Sequence, residues 1–126
     1  MTKTNKLQVD IASYSIQGLK DNNEDAVGFF VPQEPPVLEG KGIVLAVADG
    51  VSSAEAGKEA SDTAISRFLS DYYQTPDTWS VKHCGQKILS SINLTLFKRS
   101  HEFASEEKGY LTTFTALVLK SRIAHF

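Results

Sequence analysis

Six consecutive apolar residues, Ile43 to Ala48, follow Gly42 and are closed by Asp49-Gly50, and no other stretch constrains the fold of this chain as tightly. The run is short for a helix and shows no polar parity, as a half-exposed strand would. It predicts a strand in the middle of a sheet, buried on both faces. The run ends on a carboxylate, and Gly50 lets the backbone turn sharply after it. Asp49 is therefore expected at the C-terminal tip of a rigid strand, where a carboxylate can hold a divalent cation. Asp-Gly is also among the commonest turn dipeptides, so a simple turn stands beside the metal reading on spacing alone.

The rest of the chain supplies elements around that strand. Leu7 to Ile16 places Leu7, Val9 and Ile11 on one parity and Tyr14 and Ile16 on the other, which predicts a strand with a bulge near Ala12-Ser13. Gly18 to Asn23 is a polar connector. Ala26 to Val31 predicts a second strand, closed by Pro32. Gln33 to Lys41 holds Pro35, Pro36 and Gly40 and predicts a surface loop. Ser52 or Ser53 is a candidate cap for a helix in which Ala56, Ala60, Ala64, Phe68 and Tyr72 step by four, with Ile65 and Leu69 beside them. Its small residues at the start predict close packing on a sheet. A second helix runs from Trp79 to about Ala104, with Val81, Cys84, Ile88, Ile92, Leu96 and Phe103 on one face. Thr112 to Leu119 alternates as a strand, Lys120 to Arg122 reads as a hairpin turn, and Ile123 opens another strand. Consecutive strands, then two long helices between the third and fourth strands, predict an α+β fold and not an alternating parallel sheet.

Bulk properties narrow the function. A chain of 126 residues forms one domain, spanning 1–126. A net charge of -2 argues against a nucleic-acid platform, which carries a basic stripe. No apolar run approaches a membrane span, and the polar start Met1 to Lys6 is not a secretory signal. Cys84 is the single cysteine and cannot form an internal disulfide, which points to a reducing, cytoplasmic setting.

Two acidic features carry the chemical argument. Glu24-Asp25 opens one predicted strand and Asp49 closes another. Mg²⁺ and Mn²⁺ prefer carboxylate, carbonyl and water oxygens, and Gly50 leaves its own carbonyl sterically open as a ligand. Lys20, in the connector before Asp25, is positioned in sequence to hold a phosphate oxygen, or else is a solvated lysine. His83, His101 and His125 share no metal-ligand spacing. Cys84 falls on an apolar helix face and reads as core. Neither a Gly-x-Ser-x-Gly frame nor a Walker-type phosphate loop is present.

Four segments in order resemble the metal-dependent serine/threonine protein phosphatases, the protein phosphatase 2C or PPM family. They are GLKDNNEDA (18–26), VLAVADGVS (44–52), AGKEASDTA (56–64) and GYLTTFTA (109–116). The variant features are similar to bacterial phosphatase domains fused to a protein kinase. The resemblance implies an α-β-β-α four-layer sandwich of two antiparallel sheets with helices outside. It implies that Asp49 bridges two Mn²⁺ or Mg²⁺ ions, that the Gly50 carbonyl binds one of them, and that Glu24 and Asp25 reach metal largely through water. Asp49 and Asp25 would then be the catalytic carboxylates, serving attack of a metal-activated water on a phosphorylated protein substrate.

Two departures qualify the implied activity. Lys20 stands where many members carry a phosphate-binding arginine; lysine keeps the charge and loses the bidentate fork. The family's later aspartates, which complete the metal site, fall in motifs that this sequence does not contain. Asp10, Asp21, Asp62, Asp71 and Asp77 lie at other places. The chain is therefore expected to correspond to the N-terminal half of such a domain, to bind Mn²⁺ weakly and to be inactive alone. The alternatives are a non-catalytic regulatory or pseudophosphatase module on the same fold, and an unrelated α+β domain in which Asp-Gly is only a turn.

Overall fold

The structure is a computed structural model that describes residues 6–51, 54–102 and 109–126. In chain order the elements are β1 (Asp25–Phe30), α1 (Pro35–Lys41), β2 (Ile43–Asp49), α2 (Ala54–Tyr72), α3 (Val81–Glu102), β3 (Thr115–Lys120) and β4 (Ile123–His125). The strands form one antiparallel sheet in the order β1-β2-β3-β4. Among the described residues the fold is thus α+β, with one four-stranded sheet and three helices. The two long helices follow the apolar strand, but they fall between β2 and β3 and not between a third and a fourth strand, because the predicted first strand does not form.

The apolar run does form an inner strand. Its register pairs Val27 with Val47 on one side and Leu45 with Leu117 on the other. Its burial departs from expectation. Val44, Ala46 and Ala48 face the helices and are buried, whereas Val47 on the opposite face is 54% exposed. A strand apolar at every position thus has one parity wholly in the core, while the other grades from buried Ile43 beside α1 through half-buried Leu45 to exposed Val47.

Packing of α2 on the sheet follows from its stepping by four. Ala56, Ala60, Ala64, Phe68 and Tyr72 all lie in the core, and α3 adds Cys84, Ile88, Ile92 and Leu96. The alanines admit close approach to the strands, while the aromatics fill the wider end near Phe114. Polar clamps tie the two helices together. Arg67 Nη1 donates to Thr95 Oγ1 at 2.7 Å, and Arg99 Nη1 to Glu59 Oε1 at 2.9 Å.

Two sequence expectations are corrected. The stretch predicted as a loop, Gln33 to Lys41, contains α1. Pro35 and Pro36 occupy the first helical turn, where a proline's missing N–H costs nothing and its fixed φ suits the helix. The helix stops at Gly42, whose φ of 82° and close approach to the Leu119 carbonyl both require glycine. Conversely, Leu7 to Ile16 forms no strand. It has no regular secondary structure, and among the described residues no ladder hydrogen bond pairs it with another strand, so its alternation has no partner to act on. The hairpin is where the sequence places it, with Ser121 at φ 57° in the two-residue turn between β3 and β4. The Ser52/Ser53 cap and Phe103 lie outside the described residues. No described helix is long and apolar enough to cross a membrane.

Candidate metal and phosphate site

The β1–β2 register brings Asp25 directly opposite Asp49. Gly50 N donates to Glu24 O at 3.1 Å, so the neighbouring rung is the hydrogen-bonded one. Asp25–Asp49 is therefore a non-hydrogen-bonded pair, the geometry in which facing side chains stand closest. Two carboxylates directly opposite repel one another. A divalent cation between them replaces that repulsion with two attractions, and its preference for hard oxygen donors matches what the pair offers.

The backbone of each aspartate is held by its own brace. Asp49 N donates to Thr113 Oγ1 at 3.1 Å, and Thr113 N donates to Asp49 O at 2.8 Å. Asp25 N donates to Asn23 Oδ1 at 3.0 Å, and Asn23 Nδ2 to Ser15 Oγ at 2.7 Å. Lys58 Nζ, reaching over from α2, donates to Asp25 O at 3.1 Å and to Asp62 Oδ1 at 3.0 Å. Both residues line a shallow cleft of about 560 Å³ on the open face, bounded by Val27, Val47 and the segment 11–15.

Glu24 does not join that pair. Successive residues of an extended segment point to opposite sides. Its carboxylate lies on the helix side, against Gly57 of α2. It lines a separate cleft with Lys20, Asp21 and Gly50. Lys20 reaches this cleft from an exposed turn that Gln17 organises, its Nε2 donating to Lys20 O at 2.6 Å and Asp21 O at 2.8 Å. The four predicted residues and Lys20 thus divide in two. Asp25 and Asp49 share the open face, whereas Glu24, the Gly50 backbone and Lys20 share the tip beside α2. The Asp49-Gly50 dipeptide belongs to both.

Gly50 is buried for a steric reason. A Cβ there would collide with the backbone of Gly57, so the β2 tip and the first turns of α2 approach more closely than any side chain allows. Ser61, fully buried on α2, donates from Oγ to Glu24 O at 2.6 Å. Sequence reading missed Thr113, Asn23, Gly57, Lys58 and Ser61. Asn23 alone carried a local signal, as an Asx-type turn former just before a strand.

In kind these oxygens suit a hard divalent cation, but they stand in two places: Asp25 and Asp49 in the cleft on the open face, Glu24 and the Gly50 backbone in the cleft beside α2. The set is small in number. Among the described residues no three His, Cys, Asp or Glu side chains converge on one point. In comparisons with family models, curated proteins and solved structures, nothing matched the chain.

Proposed function

We propose that this chain carries the bridging side of a two-metal phosphatase site of the PPM type, acting on phosphoserine or phosphothreonine in a protein substrate. The observation that carries the reading is the Asp25–Asp49 pair, opposed across a non-hydrogen-bonded rung beside a second rung that holds Glu24 and Gly50. Asp49 and Asp25 would hold one Mn²⁺ or Mg²⁺, and Glu24 with the Gly50 carbonyl would reach the other. When bound, such ions supply a water acidic enough to attack a phosphoryl group and charge to stabilise the displaced oxygen.

The chain's own residues do the positioning. Thr113, just before β3, holds the Asp49 backbone, and Asn23 sets the entry of β1. Lys20 lines the Glu24–Gly50 cleft, where its ammonium would neutralise a phosphate oxygen as a point charge without arginine's fork. In this reading a second antiparallel sheet stands on the open face over Val27, Phe29, Leu45 and Val47, completing the four-layer α-β-β-α sandwich. A fused kinase domain and a cytoplasmic setting belong to the same reading. The isolated chain is expected to be nearly inactive, because a cation that takes about six oxygen ligands finds few among its carboxylates.

The absence of any three-residue cluster among the described residues favours a second reading, a non-catalytic pseudophosphatase module. One titration separates the two. Mn²⁺ added to ¹⁵N-labelled protein is expected to broaden the Asp25, Asp49 and Gly50 amides first, and Asp49→Ala to remove that selectivity. Uniform broadening, or selectivity that survives Asp49→Ala, rules out the metal site. Turnover of para-nitrophenyl phosphate is expected to be very low, and a robust rate abolished by Asp49→Ala would contradict the inactivity of the isolated chain.

A further inference from the structure

We propose that the first turns of α2 form a seat for the Glu24 carboxylate and that Gly57 is the positioning residue of that seat, an inference that rests on the metal-site reading above. Gly57 lies inside α2 and does not have a positive φ; the glycines that do are Gly18 and Gly42. The backbone therefore does not demand glycine at 57, and a helix interior disfavours it relative to alanine.

The reason for glycine is what a side chain would meet. A Cβ at 57 would stand 2.5 Å from Glu24 Oε2 and 3.1 Å from its Cδ, but 3.4 Å from the nearest backbone atom, Gly50 C. The severe encounter is with the end of a flexible side chain, and the backbone contact is an ordinary one. Alanine at 57 can therefore be accommodated by moving the Glu24 carboxylate alone.

The main chain of Glu24 cannot follow that movement. Its carbonyl accepts from Gly50 N at 3.1 Å and from Ser61 Oγ at 2.6 Å. Ser61 Oγ also lies 3.0 Å from Lys58 O, but it has one proton, and the shorter contact takes it. A helical serine ordinarily returns its proton to a carbonyl one turn back. Here the proton goes to the strand tip. The backbone is pinned while the carboxylate fills the space above Gly57, in the cleft it shares with Lys20 and Gly50.

The test is Gly57→Ala in the full chain, with Mn²⁺ alone as probe, amide broadening as one readout and thermal melting as the other. The expected result is an unchanged or higher Tm, with the Mn²⁺ needed to half-broaden Gly50 raised about tenfold, the lower end of the range for outer-sphere positioning groups. Glu24→Gln is expected to produce a similar loss. The double variant is expected to lose no more than Glu24→Gln alone, because both changes remove one interaction. Unchanged Mn²⁺ dependence in Gly57→Ala overturns the inference. A lowered Tm with additive losses also overturns it and makes Gly57 a packing residue. If the wild-type chain shows no selective broadening, the metal-site reading fails and takes the inference with it. Selective broadening in wild type that Gly57→Ala leaves untouched overturns the inference alone.

Discussion

Lys41 shows how individual side chains hold this fold. It is a buried charged residue, and its Nζ donates to Thr75 Oγ1 at 2.6 Å and to Pro76 O at 3.3 Å. Asp77 lies 3.9 Å away, and the Tyr72 ring sits below the ammonium at 5.5 Å. Burial of the ammonium is tolerated because its donors have partners. Lys41→Met keeps the apolar stem and strands those acceptors, so it is expected to cost about 1–3 kcal/mol in urea unfolding. Tyr72 donates from its hydroxyl to Lys41 O at 2.6 Å. Burial, with a smaller contribution from Cys84, pushes the Tyr72 phenol up to about 12, and burial also raises Tyr73. An unfolded tyrosine ionises near 10, so the folded state keeps protons that the unfolded state gives up above that pH. The stability from this burial is complete below about pH 10 and is lost as pH rises toward about 12. Urea midpoints across that window are expected to fall, and Tyr72→Phe to flatten the fall. At this scale the sequence marked Glu24, Asp25, Asp49, Gly50 and Lys20 by type and spacing alone. It could not mark Thr113 or Ser61, because they meet Asp49 and Glu24 across 64 and 37 positions.

Elements were legible where their periodicity was long. The step of four in α2 and the apolar face of α3 required no knowledge of the partner, since a helix satisfies its own backbone and only its face needs covering. The α3 face is testable by contrast. Ile92→Ala, at a position 3% exposed, is expected to cost about 2–5 kcal/mol. Leu94→Ala, at a position 52% exposed, is expected to stay within about 0.5 kcal/mol. Denaturant midpoints of the two variants check the assignment. Short elements were less legible. Helix α1 was hidden by its own prolines, which mark turns in general and helix starts in particular. The Leu7 to Ile16 alternation had the opposite fate, because a strand's hydrogen bonds lie in another segment and alternation alone cannot supply one.

At the scale of the whole molecule, the dominant fact is a sheet with helices on one face. Val27, Phe29 and Val47 are 43%, 46% and 54% exposed on the other. These neighbours on one pleated surface form an apolar patch, with the Asp25–Asp49 pair at its end. Such a patch binds hydrophobic dyes. Anilinonaphthalene sulfonate fluorescence is expected to be enhanced by the folded chain and to fall by at least half with Phe29→Ser plus Val47→Lys, roughly in step with the apolar area removed. The urea midpoint should change little, because surface substitutions of this kind rarely move stability by more than about 0.5 kcal/mol. An unchanged dye signal would show that the segment 11–15 already shields the patch.

The sequence by itself determined the two long helices, which apolar run lies inside the sheet, and which carboxylates stand at strand tips. Those properties depend on period, apolar length and turn residues, all local. Tertiary structure alone decided that Asp25 faces Asp49, that Glu24 turns away toward α2, and that one face of the inner strand is open. Register, the packing of α2 on the strand tips and the coverage of a sheet are relations between distant segments, and no single segment encodes its partner.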